Sequence, residues 1–192
     1  EDYVYFSLLL ISIYEVNNDS HSLEKCSNLL KEIWKLFYDE ENNMLQKNIK
    51  DTNDLFVKPI DIIDNNIPNG NSVFLLVCNK IFNITEDAFW KDKIEILKKT
   101  YHSSINSSFS QMFSYLKILD ICDQNITFTF YGNDKNFEEI KNKLIKKYFE
   151  TATFIYKENL NENFILICKN QVCSQKLRNL KEIDNYLNEK SI

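Results

Sequence analysis

The stretch DNNIPNGNSVFLL, residues 64–76, places one of the chain's two prolines and one of its two glycines directly before an apolar run. Because glycine is so scarce in these 192 residues, we expect Gly70 to meet a geometric requirement. A glycine can adopt a positive φ and turn the backbone tightly, while Pro68 restrains the residue before it to extended geometry. Asn71 or Ser72 would then cap the next helix by accepting hydrogen bonds from its first N–H groups. The stretch therefore predicts a tight turn that leads into a buried helix.

The composition is that of a globular chain with a sizeable core. Hydrophobic residues make up 44% of the chain and charged residues 27%, which suits one domain, or one domain with a small annex. The net charge of −5 argues against a nucleic-acid surface, which would need a basic stripe. The apolar segment 3–16 is too short to span a bilayer and lacks the features of a signal peptide. Five cysteines, an odd number, without a secretion signal indicate a reducing compartment. We therefore expect a cytoplasmic protein with no nucleic-acid and no membrane partner.

The apolar residues of the first 123 positions predict helices of two alternating kinds. Segments 2–16, 71–82 and 108–121 are apolar on nearly every face and should be buried all round. Segments 22–38 and 85–101 carry apolar side chains on one face only. Two concentric layers of helices, threaded inner and outer in turn, would produce this alternation. We predict a mainly α fold, a partial (α/α) toroid of paired inner and outer helices over residues 1–123.

The period of the pattern changes after Cys122, and a small α/β domain is predicted over residues 124–192. A strand–helix–strand order there implies a parallel pair of strands with a right-handed crossover. The predicted strands are 126–131, 152–156 and 164–168, with 171–174 as a possible fourth, and the predicted helices are 136–149 and 180–188. Two short extended pieces, 44–47 and 55–58, are expected within the helical domain.

Four motifs follow one another along the chain. They are EDYV at residues 1–4, DNNIPNGNS at 64–72, FYGND at 130–134, and the pair Cys168 and Cys173 before a short final helix. In this order they resemble the C-terminal part of the YyaL-like, spermatogenesis-associated thioredoxin-domain proteins, although asparagines replace smaller family residues in the second motif. The resemblance implies a helical toroid similar to those of six-hairpin glycosidases and N-acylglucosamine 2-epimerases. It also implies an upstream thioredoxin-like domain as partner, so we expect the sequence to be a fragment.

Together with the resemblance, the start of each inner helix suggests a carbohydrate-active site at the toroid mouth, with no cofactor and no metal. Helix N-termini there would offer N–H donors to a sugar-like ligand. The candidate catalytic residues are Asp2 and Asp64, because sugar chemistry commonly uses two carboxylates. The candidate ligand-binding residues are Tyr3, Pro68, Gly70, Asn71 and Ser72.

Several alternatives stay open at this point. Asp2 could serve only the helix dipole, Asp64 could be a turn residue, and the loop could be only a well-made helix start. The whole chain could be a non-catalytic scaffold for the thioredoxin-like redox domain. Cys168 and Cys173, the candidate redox residues, have the wrong spacing for a C-x-x-C motif and could form a disulfide, one corner of a metal site, or two quiet thiols.

Overall fold

The computed structural model describes residues 1–49, 59–132, 136–159, 161–170, 172–190 and 192. The chain divides into two compact units, Glu1–Cys122 and Asp123–Ile192. Across the described residues it is mainly helical, with a small mixed sheet. No helix in this described part is both long enough and apolar enough to cross a membrane. The predicted extended piece 55–58 lies outside the described residues.

The first unit is built from helices and one short antiparallel ribbon. Its described elements are α1 (Asp2–Asn17), α2 (Ser20–Phe37), β1 (Tyr38–Asp39), β2 (Met44–Leu45), α3 (Gly70–Thr85), α4 (Ala88–Ser108) and α5 (Phe113–Gln124), with a 3-10 turn at Phe109–Gln111 before α5. Helix α1 packs against α2 and α3, and α3 also packs against α4. Helix α3 is therefore the central helix of this unit.

Helix α3 is buried on nearly every side, as the sequence predicts for 71–82. Phe74, Leu75 and Val77 are fully buried, and even the polar Asn79 is only 6% exposed. Helix α2 is one-sided, as predicted, with Cys26, Leu30 and Ile33 among its buried residues. For these two helices, the distribution of apolar side chains in the sequence correctly predicts that α3 is central and that α2 covers it from one side.

Helices α1 and α5 differ from the prediction that they are buried all round. In α1, Phe6 is 54% exposed and Leu9 is 52% exposed, whereas Leu10 and Ile11 are buried. In α5, Phe113 is 66% exposed. The physical reason is that an apolar pattern reports what a face would gain from burial, not whether another element covers it.

The second unit is an α/β unit with a four-stranded mixed sheet in its described residues. Its elements are β3 (Ile126–Tyr131), α6 (Asn136–Tyr148), β4 (Ala152–Lys157), β5 (Phe164–Lys169), β6 (Val172–Cys173) and α7 (Leu180–Glu189), and the strand order is β4-β3-β5-β6. Strands β3 and β4 pair in parallel, as predicted, and β5 pairs antiparallel with both β3 and β6. Phe128, Phe154 and Ile165 of the sheet share one buried cluster with Ile183 of α7.

A buried ion pair joins α1 to α3. Lys80 Nζ donates to both carboxylate oxygens of Glu15, at 2.8 and 3.0 Å, and the two side chains are 5% and 0% exposed. A charge without its partner in such a place is strongly unfavourable. The pair therefore restricts how α1 can slide or rotate against α3, a restriction that apolar packing alone would not impose.

Replacing Lys80 by methionine should destabilise the protein, because the buried Glu15 would lose the charge of Lys80. We expect the free energy of unfolding to fall by about 3–5 kcal/mol. Urea unfolding followed by far-UV circular dichroism measures this change. The double variant E15L/K80M serves as the control and should recover much of the loss, since it removes both charges. Equal destabilisation of the single and double variants would contradict this view of the pair.

Candidate functional site

The start of α3 is a buried polar network centred on Asn69, which is 2% exposed. Asn69 is the N-cap of α3, and its Oδ1 accepts a hydrogen bond from the Ser72 N–H at 2.9 Å. The same oxygen accepts the Tyr101 hydroxyl of α4 at 2.5 Å. Its Nδ2 donates to the Ile62 carbonyl at 3.2 Å and to Asp64 Oδ1 at 3.0 Å. One amide thus connects the preceding loop to both α3 and α4.

The carboxylate of Asp64 is occupied by donors of the protein itself. Its Oδ2 accepts the Ser114 N–H at 2.7 Å, and its Oδ1 accepts the Ser114 hydroxyl and the Asn69 N–H. Ser114 lies in the first turn of α5, so Asp64 satisfies an otherwise unpaired helix N–H. Burial opposes ionisation, but these hydrogen bonds outweigh it and hold the pKa of Asp64 below its usual range.

The cap of α3 lies earlier than predicted, and the two predicted capping residues have other roles. Asn69 is the cap, whereas Asn71 pairs with the backbone of Leu45 in β2. Asn71 Oδ1 accepts the Leu45 N–H at 2.8 Å, and its Nδ2 donates to the Leu45 carbonyl at 2.9 Å. The Ser72 hydroxyl lies 3.1 Å from the Tyr101 hydroxyl and is fully buried. Both side chains therefore bind elements of the fold.

The prediction that Gly70 adopts a positive φ is wrong. Gly132, at the end of β3, is the only glycine of the chain with a positive φ, at 100°. A Cβ on Gly132 would also overlap Oδ1 of Asn163. Gly70 is instead the first residue of α3, and a Cβ there would lie 3.3 Å from Cγ of Glu1. A side chain at position 70 would therefore crowd Glu1 slightly, and the backbone of Gly70 itself needs no left-handed conformation.

The remaining predicted residues lie near the start of α1. Asp2 lies in the first turn of α1 and is exposed. Tyr3 is 52% exposed, with its ring centroid 5.7 Å from that of Phe37. Pro68 is exposed, and its carbonyl accepts the Tyr5 hydroxyl at 2.8 Å. The Asp64 carboxylate, in contrast, faces Ser114 and Asn69.

A cleft of about 30 Å³ lies where the starts of α1 and α3 meet β2 and the end of α2, which is room for about one or two water molecules. Its lining includes Tyr3, Gly70 and Asn71 of the predicted set, and also Glu1, Val4, Ile33, Phe37, Leu45, Gln46, Lys47 and Asp61. Lys47 forms an ion pair with Asp61, whose carboxylate raises the pKa of Lys47. The buried Oε1 of Gln46 has no hydrogen-bond partner.

Four polar residues of this cleft were not predicted from the sequence: Glu1, Gln46, Lys47 and Asp61. Glu1 precedes the predicted site residue Asp2, and Asp61 lies three residues before the predicted Asp64. This closeness in sequence was the signal for the two carboxylates, whereas Gln46 and Lys47, which follow β2, had no such signal. Which carboxylate points into the cleft depends on packing against residues far along the chain, and one sequence does not report that packing.

The two candidate redox residues form a disulfide. Cys168 and Cys173 lie directly opposite each other on β5 and β6. The other three cysteines are buried thiols in the first unit, and burial raises the pKa of Cys26 to about 12 and raises that of Cys78 as well. Among the described residues, no cluster of three or more histidine, cysteine or acidic side chains could hold a metal ion.

Comparison of the sequence with models of known protein families finds no match, and a search of curated proteins finds no significant one. The resemblance noted above is thus carried by the sequence motifs themselves.

Replacing Asp64 by asparagine should weaken the link between the loop and α5, because charge-assisted hydrogen bonds to Ser114 become neutral ones. We expect a loss of about 1.5–3 kcal/mol in the free energy of unfolding at neutral pH. Folding lowers the pKa of Asp64. The ionised carboxylate therefore stabilises the folded protein fully above the unfolded-state pKa of about 3.9, and this stabilisation is lost as the pH falls through the folded-state pKa.

The difference between wild type and D64N should therefore shrink as the solution is acidified. Urea unfolding of both proteins at neutral and at acidic pH measures that difference. The exposed Asp92 of α4 provides a matched control, since D92N also removes one negative charge. If wild type exceeds D64N by the same free energy of unfolding at both pH values, the charge of the Asp64 carboxylate does not contribute to stability.

Proposed function

We propose that the helical unit is a non-catalytic scaffold, one sector of a two-layer helical ring. The observation that carries this proposal is the open face of α1, defined as Tyr3, Phe6, Leu9 and Val16. These side chains are 52%, 54%, 52% and 39% exposed, respectively. Their spacing places them along one side of the helix. Exposed large apolar side chains along one side of a helix are typical of a surface that packs against another element.

The polar groups at the start of α3 support a scaffold more than a catalyst. The side chains of Asp64, Asn69 and Asn71 all bind the protein's own backbone or side chains. A carboxylate that acts as a nucleophile or as an acid–base catalyst in sugar chemistry must face the substrate. Asp64, one of the two candidate catalytic residues, instead anchors α5 through Ser114.

The proposed occupant of the open face is a further helix of the same ring, joined to a thioredoxin-like domain in the complete protein. This assignment follows the family resemblance, in which an upstream thioredoxin-like domain precedes a helical toroid. An added helix would cover Phe6 and Leu9 and turn α1 into the inner helix that its sequence predicts. The scaffold then positions the redox domain and carries no chemistry of its own in this unit.

The chain by itself should associate through the open face of α1. We expect wild type to form larger species as its concentration rises, and the double variant F6Q/L9Q to stay monomeric, because two large apolar side chains become polar. Sedimentation velocity over a range of concentrations measures this. The variant should keep its free energy of unfolding within about 1 kcal/mol of wild type, since exposed positions contribute little.

The neighbouring Leu10 provides the matched control for this test. It is buried, at 6% exposure, so L10A should lower the free energy of unfolding by about 2–5 kcal/mol. Wild-type chain that remains monomeric at high concentration, with the same sedimentation behaviour as F6Q/L9Q, would contradict the assignment of this face.

The cleft between α1 and α3 favours a second candidate function, the binding of a sugar-like ligand. Gln46 and the ion-paired Lys47 and Asp61 line this cleft together with Tyr3, so polar residues and an aromatic residue lie close together there. Its volume of about 30 Å³ admits a single hydroxyl or hydroxymethyl group and not a whole sugar ring. A sugar would therefore bind by one edge, and a hydrolase or epimerase role would need further residues above the cleft.

A titration with simple sugars separates the two functions. For the scaffold we expect no saturable change in the amide NMR signals of Gly70 and Asn71 when glucose or N-acetylglucosamine is added. Saturable shifts that disappear in Q46L, and not in F6Q/L9Q, would instead establish the cleft as a ligand site.

A further inference from the structure

The Cys168–Cys173 disulfide differs from the other sulfur groups of the chain in its accessibility. Cys173 is exposed, Cys168 is half-buried, and the remaining cysteines are buried. Strand β6, which carries Cys173, is a two-residue strand at the edge of the sheet, and its neighbour Val172 is 71% exposed. We propose that this pair is a thiol–disulfide exchange site that accepts electrons from an external dithiol, a function separate from the scaffold role of the helical unit.

The position of the disulfide argues against a mainly structural purpose. The two cysteines are separated by 5 positions in sequence, so the bond closes only a small loop. A short loop gives the least entropic stabilisation when it is closed, because its ends are already near each other in the unfolded chain. The pair is also directly opposed on two hydrogen-bonded strands, so the hairpin already brings the residues together.

The hairpin keeps its anchoring hydrogen bonds when the disulfide opens. The Ser174 N–H donates to the Ile167 carbonyl at 2.8 Å, and the Ile167 N–H donates to the Ser174 hydroxyl at 3.1 Å. Further along, Ile165 and Leu177 exchange two backbone hydrogen bonds, at 2.8 and 3.0 Å. Leu177 is 2% exposed and belongs to the core of this unit. Reduction of the disulfide therefore leaves β6 and the residues that follow it paired with β5, and a reversible redox couple requires this.

The different exposure of the two cysteine residues sets the order of bond exchange. A thiolate of the incoming dithiol attacks Sγ of Cys173, the exposed partner; the disulfide breaks, a mixed disulfide forms at Cys173, and Cys168 leaves as a thiolate that takes up a proton. The second thiol of the dithiol then attacks the mixed disulfide and releases Cys173, which is protonated in turn. Two electrons and two protons pass to the protein, and the dithiol becomes a disulfide.

A monothiol probe arrests this sequence at its first step. The full chain, oxidised with diamide, is incubated with glutathione in native buffer, alkylated, and digested for peptide mass spectrometry. We expect glutathione on Cys173 and the alkyl group on Cys168. Dithiothreitol should yield two alkylated thiols at a rate proportional to its concentration, with an unchanged circular dichroism spectrum and no acceleration in sub-denaturing urea.

Two outcomes would overturn the proposal: glutathione attached mainly to Cys168, or reduction that occurs only at the rate of global unfolding. The single variants give an independent measurement, since each leaves one thiol. Cys173 in C168S should react with a chromogenic disulfide reagent at least about tenfold faster than Cys168 in C173S, because reactivity follows thiol exposure. Equal rates in two folded variants would also overturn the proposal.

Discussion

The structure of the helical unit depends on one buried amide side chain, that of Asn69. A buried polar group without partners costs about 1–3 kcal/mol, so a network placed in the interior must be complete. Asn69 meets this requirement by binding Ser72 in α3, Tyr101 in α4 and Asp64 in the preceding loop. Asp64 extends the network to Ser114 in α5. Three helices and a loop therefore share a single junction, and none of them can shift alone.

Helix α3 is fixed at two points along its length, and the two fixations differ in kind. The Asn69 network holds its first turn, and the Lys80–Glu15 ion pair holds its third turn against α1. Between them, fully buried side chains such as Phe74 and Leu75 supply apolar contact, which is favourable but has no direction. The hydrogen bonds and the ion pair have a required direction, so they fix one arrangement of α3 and its neighbouring helices among the several that apolar packing would allow. This division explains why charged and amide groups occur inside a mainly apolar core.

Much of the fold could be predicted from local patterns, because those patterns report local physics. The spacing of apolar residues located the described helices, and the β-branched and aromatic runs located β3, β4 and β5. The cap of α3 was misplaced because several asparagines adjoin Gly70, and the choice among them depends on Tyr101 and Ser114, which lie far along the chain. The exposure of Phe6 had no local signal at all.

The candidate site was only partly predictable, for the same reason. The loop before Gly70 leads into the buried helix α3, as predicted, but the side chains of Asp64, Asn69 and Asn71 bind other parts of the fold. Glu15 and Lys80 were missed because a charged residue in an apolar segment has no feature that marks a partner 65 positions away. The pairing of Cys168 with Cys173 was left open because it depends on strand register, which the structure supplies.

The surfaces that we propose for contact with other molecules lie away from the polar junction around Asn69. Inward-facing amides and carboxylates build the helical unit, while its open apolar face on α1 and the exposed disulfide of the second unit are the surfaces left for other molecules. Both surfaces are at the edges of elements whose opposite sides are firmly packed. The proposed scaffold role is supported by the way in which the polar groups around Asn69 bind one another.

Amide hydrogen exchange measured by NMR tests the central claim most directly. If Asn69 joins the three helices, the N–H groups of Ser72 and Ser114 exchange slowly in the wild-type protein, and N69A raises the exchange rates of both together. A wild-type protein in which these amides exchange as fast as those of an unstructured peptide would contradict the account. So would an N69A protein in which only Ser72 changes, because the junction would then be no more than a helix cap.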